Sequence, residues 1–173
     1  MEGATPVGDP GLSLGAEASF LADPESRPGL AIKRAEQALM REKAEALRAF
    51  GLTVPQYAAM LALSQVPGSS GAQLARRCNV TPQSMASLLA TLESKALVSR
   101  VGSSVHGKVS LAHLTDTGNE LLAAADRAAI AVERRLADAF TSAELSSLRS
   151  LLMRATAALS GGAPADTAMV TEL

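Results

Sequence analysis

Residues 71–100 of this 173-residue chain, GAQLARRCNVTPQSMASLLATLESKALVSR, contain the clearest signals of its fold class. Just before the stretch, Ser70 has Gln73 three positions after it, which is the spacing of a helix capping box. A short helix is therefore predicted to begin after Ser70 and to end near Arg77.

The same stretch continues with a tight turn and a longer helix. Asn79 tolerates the left-handed backbone conformation that a tight turn needs. Thr81 and Pro82 then form a typical helix start, with Thr81 as the N-cap and Pro82 in the first turn. This helix is predicted to run to about Lys95. A short helix, a tight turn and a longer helix together predict a helix-turn-helix.

A β-hairpin is predicted directly after the helix-turn-helix. Leu97 to Val101 reads as one strand, and Val109 and Leu111 alternate with polar or small residues as a second strand would. The six residues 102–107 between them have Gly at both ends and predict a projecting loop. The fold class is therefore mainly α, a winged helix-turn-helix whose wing is a small β-hairpin.

Helices are also predicted on both sides of this lobe, and they complete the domain organisation. The expected parts are a flexible N-terminal arm at 1–28, a winged-helix domain at 29–160 and a flexible tail at 161–173. Within the domain, the DNA-binding lobe spans about 52–115, with dimerisation helices at about 29–50 and 115–160. Capping-box patterns begin helices at Thr53 and at Thr141.

Charge is distributed unevenly along the chain. The whole chain has a net charge of −1, and aromatic residues make up only 2% of it. Residues 51–115 contain five basic side chains and one acid, Glu93, which leaves this segment at +4. A local positive patch of this kind is typical of a surface that binds phosphates.

The second helix of a helix-turn-helix normally lies in the DNA major groove, with its N-terminal residues near base edges. Gln can form two hydrogen bonds with adenine, and Ser or Thr can reach bases or phosphates. The predicted DNA-binding residues, from the helix-turn-helix and the wing, are Ser70, Arg76, Arg77, Thr81, Pro82, Gln83, Ser84, Ser87, Arg100, Ser103, Ser104, His106 and Lys108.

The chain resembles the MarR family of winged-helix regulators over about residues 30–159. The segments that carry the resemblance are LTVPQYAAMLAL, GAQLARRCNVTPQSMASLLATLESKALVSR, VGSSVHGKVSLAHLT and TDTGNELL. The family wing often has an Asp-Arg-Arg run, where this chain has His106, Gly107 and Lys108. Lys108 thus replaces the Arg that reaches the minor groove, and His106 replaces the acid that steadies it.

The resemblance implies a dimeric repressor of transcription that binds a palindromic operator in double-stranded DNA. It also implies that a small-molecule effector modulates DNA binding, and Tyr57 and Met60 are candidates for lining its crevice, although plain core positions suit them better. Two helical seams, on the helices from Thr115 and from Thr141, indicate a homodimer. The alternative is a winged-helix module for protein–protein contacts that has no DNA-binding activity.

Other classes of function find little support. The chain has no Gly-rich phosphate loop, no nucleophile elbow and no His-Glu-x-x-His pattern, so we expect neither an enzyme nor a cofactor. His106 and His113 are too few for a metal site unless acidic residues join them. Cys78 is expected to be a packed thiol. The absence of a membrane-spanning run and of a basic signal-peptide start predicts a cytoplasmic protein.

Overall fold

The computed structural model describes residues 23–102 and 110–160. This part of the chain contains six α-helices, one 3₁₀ turn and three short strands. In chain order they are the 3₁₀ turn Pro24–Ser26, α1 Pro28–Arg48, α2 Val54–Gln65, β1 Ser69–Ser70, α3 Gly71–Arg77, α4 Pro82–Ser94, β2 Val98–Gly102, β3 Ser110–Leu114, α5 Asp116–Ala137 and α6 Ser142–Leu159.

Some of the predicted regions lie outside the described residues. They are most of the N-terminal arm, the C-terminal tail and the wing loop with Ser103, Ser104, His106 and Lys108. The described chain divides into two compact units, and the division falls inside α5 between Ala125 and Asp126.

The predicted helix-turn-helix is confirmed, with its start signals in place. The Ser70 hydroxyl accepts from the Gln73 backbone N–H at 3.3 Å, and the Gln73 side chain accepts from the Ser70 N–H at 2.8 Å. The Thr81 hydroxyl accepts from the Ser84 N–H at 3.1 Å. Asn79 has a φ of +51°, so the turn does use the left-handed conformation. α3 and α4 together therefore form a capped pair joined by a four-residue turn.

The sheet has three strands, one more than predicted. β3 is central, with β2 and β1 antiparallel on either side, so that Arg100 pairs with Ala112 and Ser69 also pairs with Ala112. The predicted hairpin is confirmed by the pairing of β2 with β3. The additional strand β1 has only two residues, Ser69 and Ser70, and neither has a strong strand propensity. The pairing partner, more than 40 residues away, gives no local signal.

The core of the first unit is aliphatic and closely packed. It brings together one face each of α2, α3 and α4 with the end of α1. The largest side chains that are under 2% exposed are Leu47, Met60, Leu63, Leu74, Met85 and Leu92. Each such side chain stabilises the fold by about 1.5–3 kcal/mol relative to an exposed position. None of these six side chains is aromatic, so leucine and methionine provide the most deeply buried part of the core.

The turn after α4 is tied to the start of α5. Ala96 adopts a φ of +55°, and its carbonyl accepts from the Thr115 hydroxyl at 2.7 Å. That hydroxyl also accepts from the Gly118 N–H at 3.0 Å, so Thr115 caps α5. A Cβ added to Gly118 would lie 2.1 Å from the carbonyl oxygen of Leu97, so this crossing has room only for glycine.

The second unit consists of the end of α5 and α6. The Thr141 hydroxyl accepts from the Glu144 N–H at 3.3 Å, and Glu144 accepts from the Thr141 N–H at 2.8 Å, which confirms the predicted capping box. These bonds from Thr141 hold the pKa of Glu144 below its usual value. No residue of α6 is buried. Among the described helices, none is both long enough and apolar enough for a membrane span.

Candidate nucleic-acid interface

The solvent face of α4 collects the residues that the sequence predicts to read DNA. Thr81, Pro82, Gln83, Ser84 and Ser87 are all exposed. The opposite face of the same helix is buried in the core through Met85, Leu89 and Leu92. The helix is thus anchored from behind, and its first turn is free to enter a groove.

Hydrogen bonds within α4 orient its hydroxyl groups. The Thr81 hydroxyl donates to Ser84 Oγ at 2.8 Å while it caps the helix. The Ser87 hydroxyl donates to the Gln83 carbonyl at 3.2 Å. Ser84 can therefore donate outward, and Ser87 presents lone pairs outward. Gln83 contributes an exposed amide that can both donate and accept, which is the arrangement that adenine matches.

Two arginines lie in the last turn of α3, beside the turn of the motif. Arg76 and Arg77 are both exposed. The Arg77 guanidinium donates to Gln65 Oε1 at 2.7 Å, which directs its side chain towards the end of α2. The Ser70 hydroxyl is engaged in the α3 capping box, where it also donates to Gln73 Oε1 at 2.9 Å. Arg76 is therefore the better placed of the two arginines for a phosphate contact.

Two further basic residues of the lobe form hydrogen bonds to other groups of the protein. Arg100 donates to Glu93 Oε2 from Nε at 2.9 Å and from Nη2 at 2.5 Å. Lys95 donates to the carbonyl oxygen of Gly51 at 2.8 Å. The sequence did not reveal either contact, because the partners lie on different elements and no helical or strand period relates them. The carboxylate of Glu93 therefore balances the charge of Arg100, whereas Lys95, bonded to a neutral carbonyl, keeps its charge.

Cys78 follows α3 as a half-buried thiol. Its sulfur lies 3.8 Å from the carbonyl oxygen of Ala58. Burial raises the pKa of the Cys78 thiol, and the nearby positive charge of Arg77 partly opposes that rise. The thiol is therefore mostly protonated at neutral pH, as a packed thiol should be.

Tyr57 and Met60 lie in the core of the first unit, with Met60 0% exposed. A mostly apolar surface groove lies between the end of α1 and the start of α2. Its lining includes Met40, Ala44, Arg48, Leu52, Val54 and Pro55. Within residues 23–102 and 110–160, no three His, Cys, Asp or Glu side chains cluster as metal ligands would.

Comparison with known proteins identifies relatives of the same kind. A family model described as the MarR family matches residues 50–108. The HTH-type transcriptional repressor Rv2887 of Mycobacterium tuberculosis is 34% identical over 124 residues, which cover 72% of this chain and 89% of Rv2887.

Solved structures of this relative, a Mycobacterium tuberculosis MarR family protein, also resemble the chain. Rv2887 in complex with DNA is 31% identical, with a TM-score of 0.60, and the match covers 73% of this chain and 94% of that one. Rv2887 in complex with p-aminosalicylic acid is 32% identical, with a TM-score of 0.60 and coverage of 74% and 97%. The likeness extends over nearly the whole of the relative, and the chain belongs to the MarR family of transcription regulators.

Proposed function

We propose that the chain is a transcription repressor that binds a specific operator in double-stranded DNA. The observation that carries the proposal is the capped, exposed first turn of α4, where Gln83 and Ser84 project from a lobe of net charge +4. Base reading by Gln83 and phosphate contact by Arg76 would divide the work between specificity and affinity. The existence of a complex of the relative Rv2887 with DNA supports DNA binding by this chain.

The proposed DNA contacts keep the predicted set except for Arg100, whose guanidinium is bonded to Glu93. Thr81, Pro82, Gln83, Ser84 and Ser87 form the base-reading face. Ser103, Ser104, His106 and Lys108 remain proposals from the sequence alone.

A repressor that blocks a promoter acts where the chromosome is, so we expect the protein in the cytoplasm, without catalytic activity.

The operator-binding form is proposed to be a homodimer. α6 has no buried residue, and Leu145, Leu148, Leu152, Ala155 and Leu159 repeat along it at spacings of three and four. Of the predicted seam on α5, Leu122 is already buried within the chain, as are Ala125, Ala129 and Val132, whereas Leu136 is 40% exposed. The surface that a second copy would cover is therefore mainly that of α6.

The test of the proposed function is selection of bound fragments from genomic DNA, followed by gel shift of the full chain on the recovered sites and on random duplex. We expect an imperfect palindrome, bound by two copies of the chain, with an affinity roughly 10³-fold or more above that for random DNA. Equal, weak binding to both DNAs, or none, would favour the protein–protein module instead.

A small aromatic carboxylate is the proposed effector class. The groove between α1 and α2 combines apolar walls with the Arg48 guanidinium at its edge. The p-aminosalicylic acid complex of Rv2887 supports this chemistry. Tyr57 and Met60, which we also keep as candidates, are buried, so a ligand would reach them only after the lobe opens.

Titration with salicylate tests this part of the proposal, with melting temperature and operator affinity as the two readouts. We expect salicylate to raise the melting temperature of the wild type and to weaken operator binding. Arg48→Gln should reduce both effects, whereas Arg41→Gln, on the same helix but outside the groove, should leave them unchanged. Equal responses of the two variants would remove the groove as the binding site.

A further inference from the structure

One ion pair joins the recognition helix to a strand of the wing. Glu93 lies in the last turn of α4, and Arg100 lies in the middle of β2. Both Nε and Nη2 of Arg100 donate to the same carboxylate oxygen of Glu93, at 2.9 and 2.5 Å. The two side chains are only 35% and 39% exposed, so solvent screens the pair less than a fully exposed one.

The ion pair completes a set of contacts that fixes β2 against α4. At the near end of β2, the Leu97 N–H donates to the Leu92 carbonyl at 2.9 Å, and Thr115 holds the Ala96 carbonyl. At Arg100 the backbone pairs with Ala112 of β3, while its side chain reaches back to Glu93. The backbone contacts hold the beginning of the strand, its pairing with β3 holds its length, and the ion pair adds a side-chain link from the middle of the strand to α4.

An acidic residue such as Glu93 is electrostatically unfavourable in a lobe that binds DNA. It is the one acid between residues 51 and 115, and an unpaired carboxylate there would repel a polyanion. Its bond to Arg100 instead neutralises the guanidinium and occupies two of its five N–H donors. Arg100 is therefore a poor candidate for the phosphate contact that the sequence predicted.

We propose that Glu93 and Arg100 are a positioning pair, which holds the wing strand at a fixed angle to the recognition helix so that both can meet the operator together. The inference rests on the proposed DNA-binding function and assigns two residues a role within it. Arg100 acts through Glu93 and not through a phosphate.

The experiment measures the Kd of the full-length protein on its selected operator and on random duplex across a range of salt concentrations. The variants are Glu93→Gln, Arg100→Gln, the charge swap Glu93→Arg with Arg100→Glu, and Arg76→Gln as a matched loss of one positive charge. Melting temperatures establish that each variant is folded.

We expect Glu93→Gln and Arg100→Gln each to weaken operator binding by about fivefold, the size of one partly screened ion pair. Glu93→Gln should do so although it removes a negative charge, and the charge swap should recover at least half of the loss. Arg100→Gln should leave the salt slope unchanged, whereas Arg76→Gln should lower it by about 0.9 per subunit.

Besides unchanged affinity in both single variants, two results would overturn the positioning role. One is tighter binding by Glu93→Gln, which would make Glu93 a simple repulsive charge. The other is a drop in salt slope for Arg100→Gln as large as that for Arg76→Gln, which would make Arg100 a phosphate contact. Unchanged operator affinity in both single variants would overturn the positioning role of the pair but leave the proposed function standing. A wild-type protein that does not distinguish operator from random DNA would overturn the proposed function as well.

Discussion

The winged lobe and the last helix differ in how far their apolar side chains are buried. In the lobe, Leu74, Met85 and Leu92 are under 2% exposed, and they pack into a core that the lobe forms together with Leu47 at the end of α1. In α6, Leu151 is 57% exposed and Leu159 is 85% exposed, and no residue of the helix is buried.

The difference indicates which part of the chain is complete alone. A helix with an apolar stripe gains most of its stability by packing that stripe, since local propensity contributes little. The lobe already has its packing partners, so changes there should act on folding. α6 has a good N-terminal cap, but none of its residues is buried by the described part of the chain, so changes there should act on assembly.

The largest expected effect comes from Leu152→Glu in α6. If a second copy covers this side chain, the change removes two buried leucines per dimer and should cost about 3–6 kcal/mol of dimer stability. Sedimentation at micromolar concentration should then show monomers, and operator binding should be lost. Ser150→Glu, on the opposite face of the helix, should leave the dimer intact. Retention of the dimer by Leu152→Glu would show that α6 is not the interface.

Gly118→Ala should have the next largest effect, on the folding of the lobe. The new Cβ would meet the Leu97 carbonyl oxygen at 2.1 Å, so the backbone crossing must shift, at a cost of about 3 kcal/mol. Urea unfolding measures this change. Gly29→Ala in α1 meets nothing within 4 Å and should be neutral or stabilising by up to about 1 kcal/mol. Similar free energies of unfolding for the two variants would contradict the tight crossing.

Matched capping boxes in the two regions give a smaller and pH-dependent effect. Thr53→Ala and Thr141→Ala should each cost about 1 kcal/mol of unfolding free energy at neutral pH. The Thr53 box uses Gln56, which does not titrate, so its cost should not change with pH. The Thr141 box uses Glu144, whose lowered pKa means that stability is present above about pH 4.3 and lost as the pH falls through the folded-state pKa.

Urea unfolding of both variants at pH 7 and at pH 2.5 tests this difference. The cost of Thr141→Ala should shrink in acid, and that of Thr53→Ala should stay the same. Identical pH behaviour would mean that the Glu144 carboxylate adds nothing to its box.

The smallest effect concerns the reactivity of Cys78. Because burial raises its thiol pKa, iodoacetamide should modify the folded protein at pH 7.5 more slowly than the urea-unfolded chain. Arg77→Gln should slow the reaction further, since the Arg77 charge lowers that pKa, whereas Arg76→Gln should not. A folded-state rate equal to the unfolded one would rule out the shielded thiol.

Local signals were enough to predict the helix-turn-helix, whereas contacts between elements that are distant in the sequence could not be predicted. Ser70, Asn79 and Thr81 each act within a few residues of their own position, so their cap and turn roles could be predicted from the sequence. The strand β1 and the Glu93–Arg100 pair depend on how separate elements pack. For the same reason nothing in the sequence indicates that the Arg100 side chain is directed at Glu93.

Base reading by the first turn of α4 is tested by the Kd of Gln83→Ala on the selected operator and on random duplex, with Ser94→Ala at the far end of the helix as the control. Gln83→Ala should lose about 1–3 kcal/mol on the operator and almost nothing on random DNA, and Ser94→Ala should match the wild type on both. Equal losses by Gln83→Ala on the two DNAs, or no loss on either, would contradict base reading by this helix.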